Sequence, residues 1–195
     1  MKSPDADYCY VLKSLLNQPS SFEDGFYYPF QNHLSCNELN AVIKFLKLEN
    51  NKQELSLNEL KIYGRFRNNH ELFYANVYDS LHKRQSSVCL WKYEDQDNYG
   101  IIEKFVNYKD KDMFIARKFI GKKKLIDYYK FSDTYKSIFE LNDLDKYFTV
   151  FSRPGNDTSE LIACSSSSII STCVLTKLND SGDVLVTNVI GYEHD

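Results

Sequence analysis

Glycine, proline and histidine are scarce in this chain: seven, four and four among 195 residues. Gly64, Gly100, Gly121 and Gly155 each stand alone, so there is no glycine-rich loop to cradle a phosphate, which excludes the usual nucleotide-binding motifs. His33, His70, His82 and His194 are scattered, and none neighbours a recognisable nucleophile. The five cysteines (Cys9, Cys36, Cys89, Cys164, Cys173) form no C-x-x-C and have no His at ligand spacing, so reduced thiols are expected and no metal site. No apolar run is long enough to span a bilayer, and the first residues lack a charged stretch followed by an apolar core. These absences lead to the expectation of an intracellular chain that is not an enzyme, not in a membrane and without a cofactor.

Aromatics, by contrast, are abundant. Fifteen Tyr and thirteen Phe fit pleated, half-buried strand faces, with each Tyr keeping a polar tip for water. The net charge of −3 is unevenly spread. Residues 104–130 hold nine Lys or Arg against three Asp, a local surplus of six positive charges in an otherwise acidic protein. That asymmetry permits an anion-binding face.

Along the chain, residues 3–17 read as a helix capped by Ser3, with Tyr8, Val11, Leu12, Leu15 and Leu16 on one stripe. Residues 19–32 lose any period and read either as an ordered loop packing Phe22, Phe26, Tyr27, Tyr28 and Phe30 or as a linker of a longer protein with those aromatics exposed. A second helix follows: Ser35 and Glu38 stand at capping-box spacing, and Leu39, Val42, Ile43 and Leu46 form its apolar face. From residue 60 the period changes to short apolar or aromatic runs over residues 62–66, 72–78, 88–93, 99–106 and 113–119, separated by polar turns. Such spacing predicts an antiparallel meander, with Asn68-Asn69 as one turn and Gly100 marking a bulge or a close backbone approach. Lys122, Lys123 and Lys124 read as a basic loop, residues 134–144 as one or two helical turns, and residues 153–157 as a turn. Further strands are expected over residues 147–151, 161–164, 173–178 and 184–190, before an acidic tail. The fold class expected is mainly β (α+β): a small distorted antiparallel β-barrel over residues 59–195, preceded by a lead-in of two short helices over residues 1–58.

Catalytic chemistry finds little support in this order of elements. Cys89 lies inside Val88-Cys89-Leu90-Trp91, which reads as core, and no alternation of strands and helices sets carboxylates at strand ends as a metal-dependent nuclease needs. Binding is better supported. Arg117, Lys118, Lys122, Lys123 and Lys124 flank one strand and its following loop, with Tyr128 and Tyr129 close behind. Cations of this kind neutralise phosphates while aromatics stack on bases. The same lysines equally suit a strand edge guarded against aggregation.

Two stretches carry a family resemblance. Tyr99-Gly100-Ile101-Ile102-Glu103-Lys104-Phe105 followed by Met113-Phe114-Ile115-Ala116-Arg117-Lys118-Phe119 is similar to the paired strands of bromo-adjacent homology (BAH) domains, and the segment from Ile162 to Leu175 resembles that family's closing phrase. The run from Tyr63 to Phe105 also looks like the C-terminal region of transposon-encoded proteins of invertebrates. The BAH resemblance implies a distorted β-barrel that docks on chromatin protein or nucleic acid without catalysis, in the nucleus rather than the cytoplasm. Arg117-Lys118-Phe119 stands where the family has Trp-Phe-Tyr-Arg-Pro, so no methyl-lysine cage is carried over. The transposon resemblance implies the alternative of a structural piece, self-associating within a larger transposase-like protein.

Overall fold

The computed structural model of the protein describes residues 25–29, 33–46, 55–68, 71–76, 87–125, 128, 147–152 and 161–188. The expected helix over residues 3–17, the helical turns over 134–144, the turn at 153–157 and the acidic tail lie outside these residues, as does Tyr129. Eleven strands and one α-helix are described: β1 (Gly25–Pro29), α1 (Cys36–Leu46), β2 (Leu60–Asn68), β3 (Glu71–Tyr74), β4 (Val88–Tyr93), β5 (Gln96–Tyr108), β6 (Lys111–Lys118), β7 (Ile120–Lys124), β8 (Phe148–Ser152), β9 (Leu161–Ser165), β10 (Ile169–Lys177) and β11 (Asp183–Asn188). The mainly-β class is therefore as expected.

Hairpins β4–β5 and β5–β6 turn at Glu94-Asp95 and Lys109-Asp110, where both residues of each pair have positive φ, the twist that matches two antiparallel strands. Beyond these local pairs the ladder is long-range. It runs β1-β2-β5-β4-β10-β11-β8-β7, with β3 beside β2, and β6 between β5 and β9. Among the described strands this path does not return on itself, so they do not form the expected closed barrel. The physical reason lies at Ser166–Ser168, a 3-10 turn through which β9 rounds a corner into β10 without pairing to it.

Two segments expected to be loops are strands. β1 pairs with β2, because Phe26 has a place to go: its ring stacks on Tyr63 at 5.1 Å and meets Phe66 at 5.1 Å and Phe105 at 5.8 Å. β7, which carries the three lysines, pairs with β8. Every residue of β7 is exposed, so no apolar alternation marked it as a strand.

β5 is the spine. It pairs with β4 through its first half, with β2 through its last four residues, and with β6 along its other edge. Three cores meet on it. Ile102 and Phe105 enter a central core with Trp91, Phe114, Cys89 and Cys164; Tyr99 and Ile101 face a second core against Phe151, Val184 and Val186; Val106 and Tyr108 lie beneath α1. An extra residue at Glu103, between the pairs Ile102↔Ala116 and Lys104↔Ile115, makes this sharing possible. Before the bulge even-numbered residues enter the central core, and after it odd-numbered ones do. Gly100 is required by a close approach: a Cβ there would fall on the Arg117 carbonyl oxygen and 3.0 Å from the Trp91 ring.

The bulge also brings Glu103 and Lys104 into buried ground, where each finds an opposite charge. Arg117 Nε donates to Glu103 Oε1 at 2.7 Å, and Lys104 Nζ donates to Glu38 Oε2 at 2.9 Å and to the His33 carbonyl at 2.9 Å. Glu38 is the capping-box residue of α1, and Ser35 N donates to its carboxylate at 2.7 Å while Glu38 N donates back to Ser35 Oγ at 3.3 Å. Because Lys104 holds Glu38 inward, the helix is turned from the expected stripe. Glu38, Ala41 and Val42 are its buried residues and Phe45 packs beside them, while Leu39 and Ile43 are only half-buried. Full burial of a side chain such as Val42 contributes about 1.5–3 kcal/mol.

Candidate functional site

Elements from three parts of the chain hold the expected site residues: β6 carries Arg117 and Lys118, β7 the three lysines, and the turn between β10 and β11 receives Tyr128. Lys122, Lys123 and Lys124 stand on β7, the last strand of the ladder. Gly121, with φ +67°, lets the strand bend between the pairs Ile120↔Ser152 and Lys123↔Val150. Successive strand residues point to opposite faces, so Lys122 and Lys124 share one face and Lys123 takes the other. The surroundings agree: Lys122 Nζ lies 5.7 Å above the Tyr99 ring, a cation–π position facing the second core. Lys123 instead acts on Asp183, whose carboxyl is drawn below its ordinary value first by the Asn179 amide and then by this lysine.

Tyr128 is held on the turn between β10 and β11. Its hydroxyl accepts from Asn179 Nδ2 at 2.6 Å, and the same amide donates to Asp183 Oδ2 at 2.9 Å. Asn179 Oδ1 in turn accepts from Asp183 N at 3.0 Å and from Ser181 Oγ at 2.7 Å. A hollow of about 280 Å³ is lined by the three lysines with Phe148 and Thr149. It offers cationic walls around one aromatic ring, the composition that phosphates and bases use together.

Arg117 and Lys118 lie apart from that hollow. Arg117 is committed to Glu103, with only 21% of its side chain exposed. Lys118 lines a different hollow, of about 390 Å³, with Ala41, Lys44, Phe45, Tyr93, Leu161, Ile162 and Ala163. The sequence reading did not single out Lys44, Tyr93 or the Glu38–Lys104 pair. A charged Glu103-Lys104 doublet inside an apolar strand was the available signal for the last.

Among the described thiols Cys36 is exposed, whereas Cys89, Cys164 and Cys173 are buried in the cores. Cys89 is wholly buried, its pKa pushed well up by that burial and by Cys173 and Cys164 nearby. Burial pushes Cys164 up to about 11, against a pull from the Trp91 indole and from Lys118, and pushes Cys173 up to about 12. The buried Trp91 N–H has no full hydrogen-bond partner, and its ring meets Phe114 edge-on at 5.7 Å. Among the described residues no group of three or more His, Cys, Asp or Glu converges as metal ligands would, and no helix is long and apolar enough to cross a membrane. Comparison of the chain with family models, with curated proteins and with solved structures gives no match, so the geometry and the sequence carry the functional reading by themselves.

Proposed function

We propose that this chain is a non-catalytic interaction module that binds nucleic acid through the lysine edge of β7, with chromatin as its setting and the nucleus as its place of work. The observation that carries the reading is a run of three exposed lysines fixed on a paired strand, so that their backbone is ordered before any ligand arrives. A phosphodiester backbone lying along that edge meets Lys122 and Lys124 from one side and Lys123 from the other. Phe148, half-buried in the floor of the adjoining hollow, adds an aromatic surface for a base. The BAH resemblance of the β5–β6 strands supports the chromatin setting.

Titration with duplex and single-stranded DNA at two salt concentrations tests this. Three phosphate contacts give a slope of about −2.7 in log affinity against log salt on duplex DNA, hence a loss of about 40-fold between 50 and 200 mM. Replacing Lys122, Lys123 and Lys124 together by Ser removes that slope with the binding. Absent binding, or affinity that ignores salt, overturns the reading.

A further inference from the structure

Two aromatic side chains at the head of β8 are left out of the packing that claims the others. Phe66, Phe105, Phe114, Phe119 and Phe151 all fill cores. Phe148 belongs to none of the three cores, and its half-buried ring meets no other aromatic ring among the described residues. Tyr147, directly before it in the chain, is 44% exposed.

Both stand against the lysine edge. β7 and β8 run antiparallel with Lys123 opposite Val150 and Lys124 opposite Thr149, which sets Phe148 beside the end of β7, in one hollow with the three lysines. The described lining of that hollow holds no carboxylate. Asp183, which acts on Lys123, pairs with Ser152 at the other end of β8, whereas Phe148 pairs with Thr187. That separation is about 13 Å along the strand, so the carboxylate does not reach the ring. At about 280 Å³ the hollow is smaller than the sites that enclose a drug-sized molecule, and its size suits one base rather than a base pair.

We infer that the nucleic acid taken by the β7 edge is single-stranded, with one base laid on the Phe148 ring inside the hollow and Tyr147 beside it as a second stacking surface. This rests on the reading of β7 as a nucleic-acid edge and narrows it. The lysines cannot make the choice, because single and double strands carry the same phosphates; moreover Lys122 lies over Tyr99, and Lys124 keeps an interaction within the chain. The rings can make it. In a duplex both faces of every internal base are covered by its stacked neighbours, so a base reaches Phe148 only after its pair opens, whereas a single strand presents its bases already open. Stacking on an aromatic side chain is worth about tenfold in affinity per base, and it tolerates any base because each has a flat face.

Fluorescence anisotropy of the full chain with three labelled probes of one length tests the inference: (dT)12, a 12-base-pair duplex, and an abasic 12-mer that keeps the phosphates and lacks the bases. At equal salt (dT)12 binds about tenfold more tightly than either of the others. Phe148→Leu keeps an apolar side chain on β8; it removes about that tenfold from (dT)12 and leaves the affinity for duplex and the salt slope unchanged. Tyr147→Ala, at an exposed position, weakens (dT)12 in the same sense. The comparison of (dT)12 with the abasic probe uses the parent chain and needs no variant to fold. If all three probes bind alike with a steep salt slope, or if Phe148→Leu leaves (dT)12 unaffected, the single-strand inference falls and the lysine edge stands; if none of the probes binds, both fall.

Discussion

Replacing Lys104 by Met tests how α1 is fastened to the sheet. The Lys104 ammonium and Glu38 carboxylate lie 2.9 Å apart with side chains only 11% and 10% exposed, so neither charge has much water to fall back on. Removing one partner of such a pair leaves the other charge buried, at a cost of about 3–5 kcal/mol; the Ser35 N–H still donates to Glu38 and sets the expectation for Lys104→Met at the lower end, about 3 kcal/mol. Glu38→Gln keeps an acceptor for that N–H but strands the ammonium, which retains the His33 carbonyl, and should cost about 2–3 kcal/mol. The double variant strands no charge. Its cost should fall short of the sum of the single costs by about 2 kcal/mol, well above the ~0.5 kcal/mol scatter of independent sites. Urea unfolding of the four proteins at one pH gives the cycle directly. Additive costs, or single costs below about 1 kcal/mol, would refute the view that this pair docks the helix.

Gly100→Ala should lower the urea midpoint by the equivalent of about 3 kcal/mol, at the upper end of overpacking costs, since its new methyl meets the Arg117 carbonyl rather than a movable side-chain tip; an unchanged midpoint would show that β5 and β6 can separate there freely. Alkaline pH should destabilise the fold through its thiols: Cys164 and Cys173 titrate at about 11 and about 12 when folded against 9.0 ordinarily, so the folded chain keeps protons that the unfolded chain releases. Stability is then full below pH 9 and falls above it, by up to about 1.4 kcal/mol per pH unit for each thiol, and urea midpoints from pH 8 to 11 should fall less steeply in Cys173→Ala than in the parent.

Strands β4, β5 and β6 were legible because Val88, Trp91, Ile102, Phe105 and Phe114 are too apolar for anything but a core, and all five are buried. The start of α1 was legible for a local reason as well: a capping box is written in two residues three apart. Pairing was not, since β2 with β5, β4 with β10 and β6 with β9 are decided by tertiary packing and not by neighbours in the chain. Arg117 looked like a phosphate contact because its partner Glu103 is turned toward it only by the bulge. The three lysines looked like one patch, but a strand divides them between two faces, and nothing in a run of identical residues announces that they form a strand.

The extra residue at Glu103 gives β5 something akin to a reading frame. On either side of it the same strand is read in opposite phase, with Ile102 and Phe105 both entering the central core although three positions separate them. A one-residue insertion between Lys104 and Phe105 would turn Phe105 out toward the helix and Val106 into the aromatic interior. Turns elsewhere can lengthen by a residue at modest cost, as loops do. In this strand a change of length is graver than most changes of residue, because it exchanges inside for outside along everything that follows.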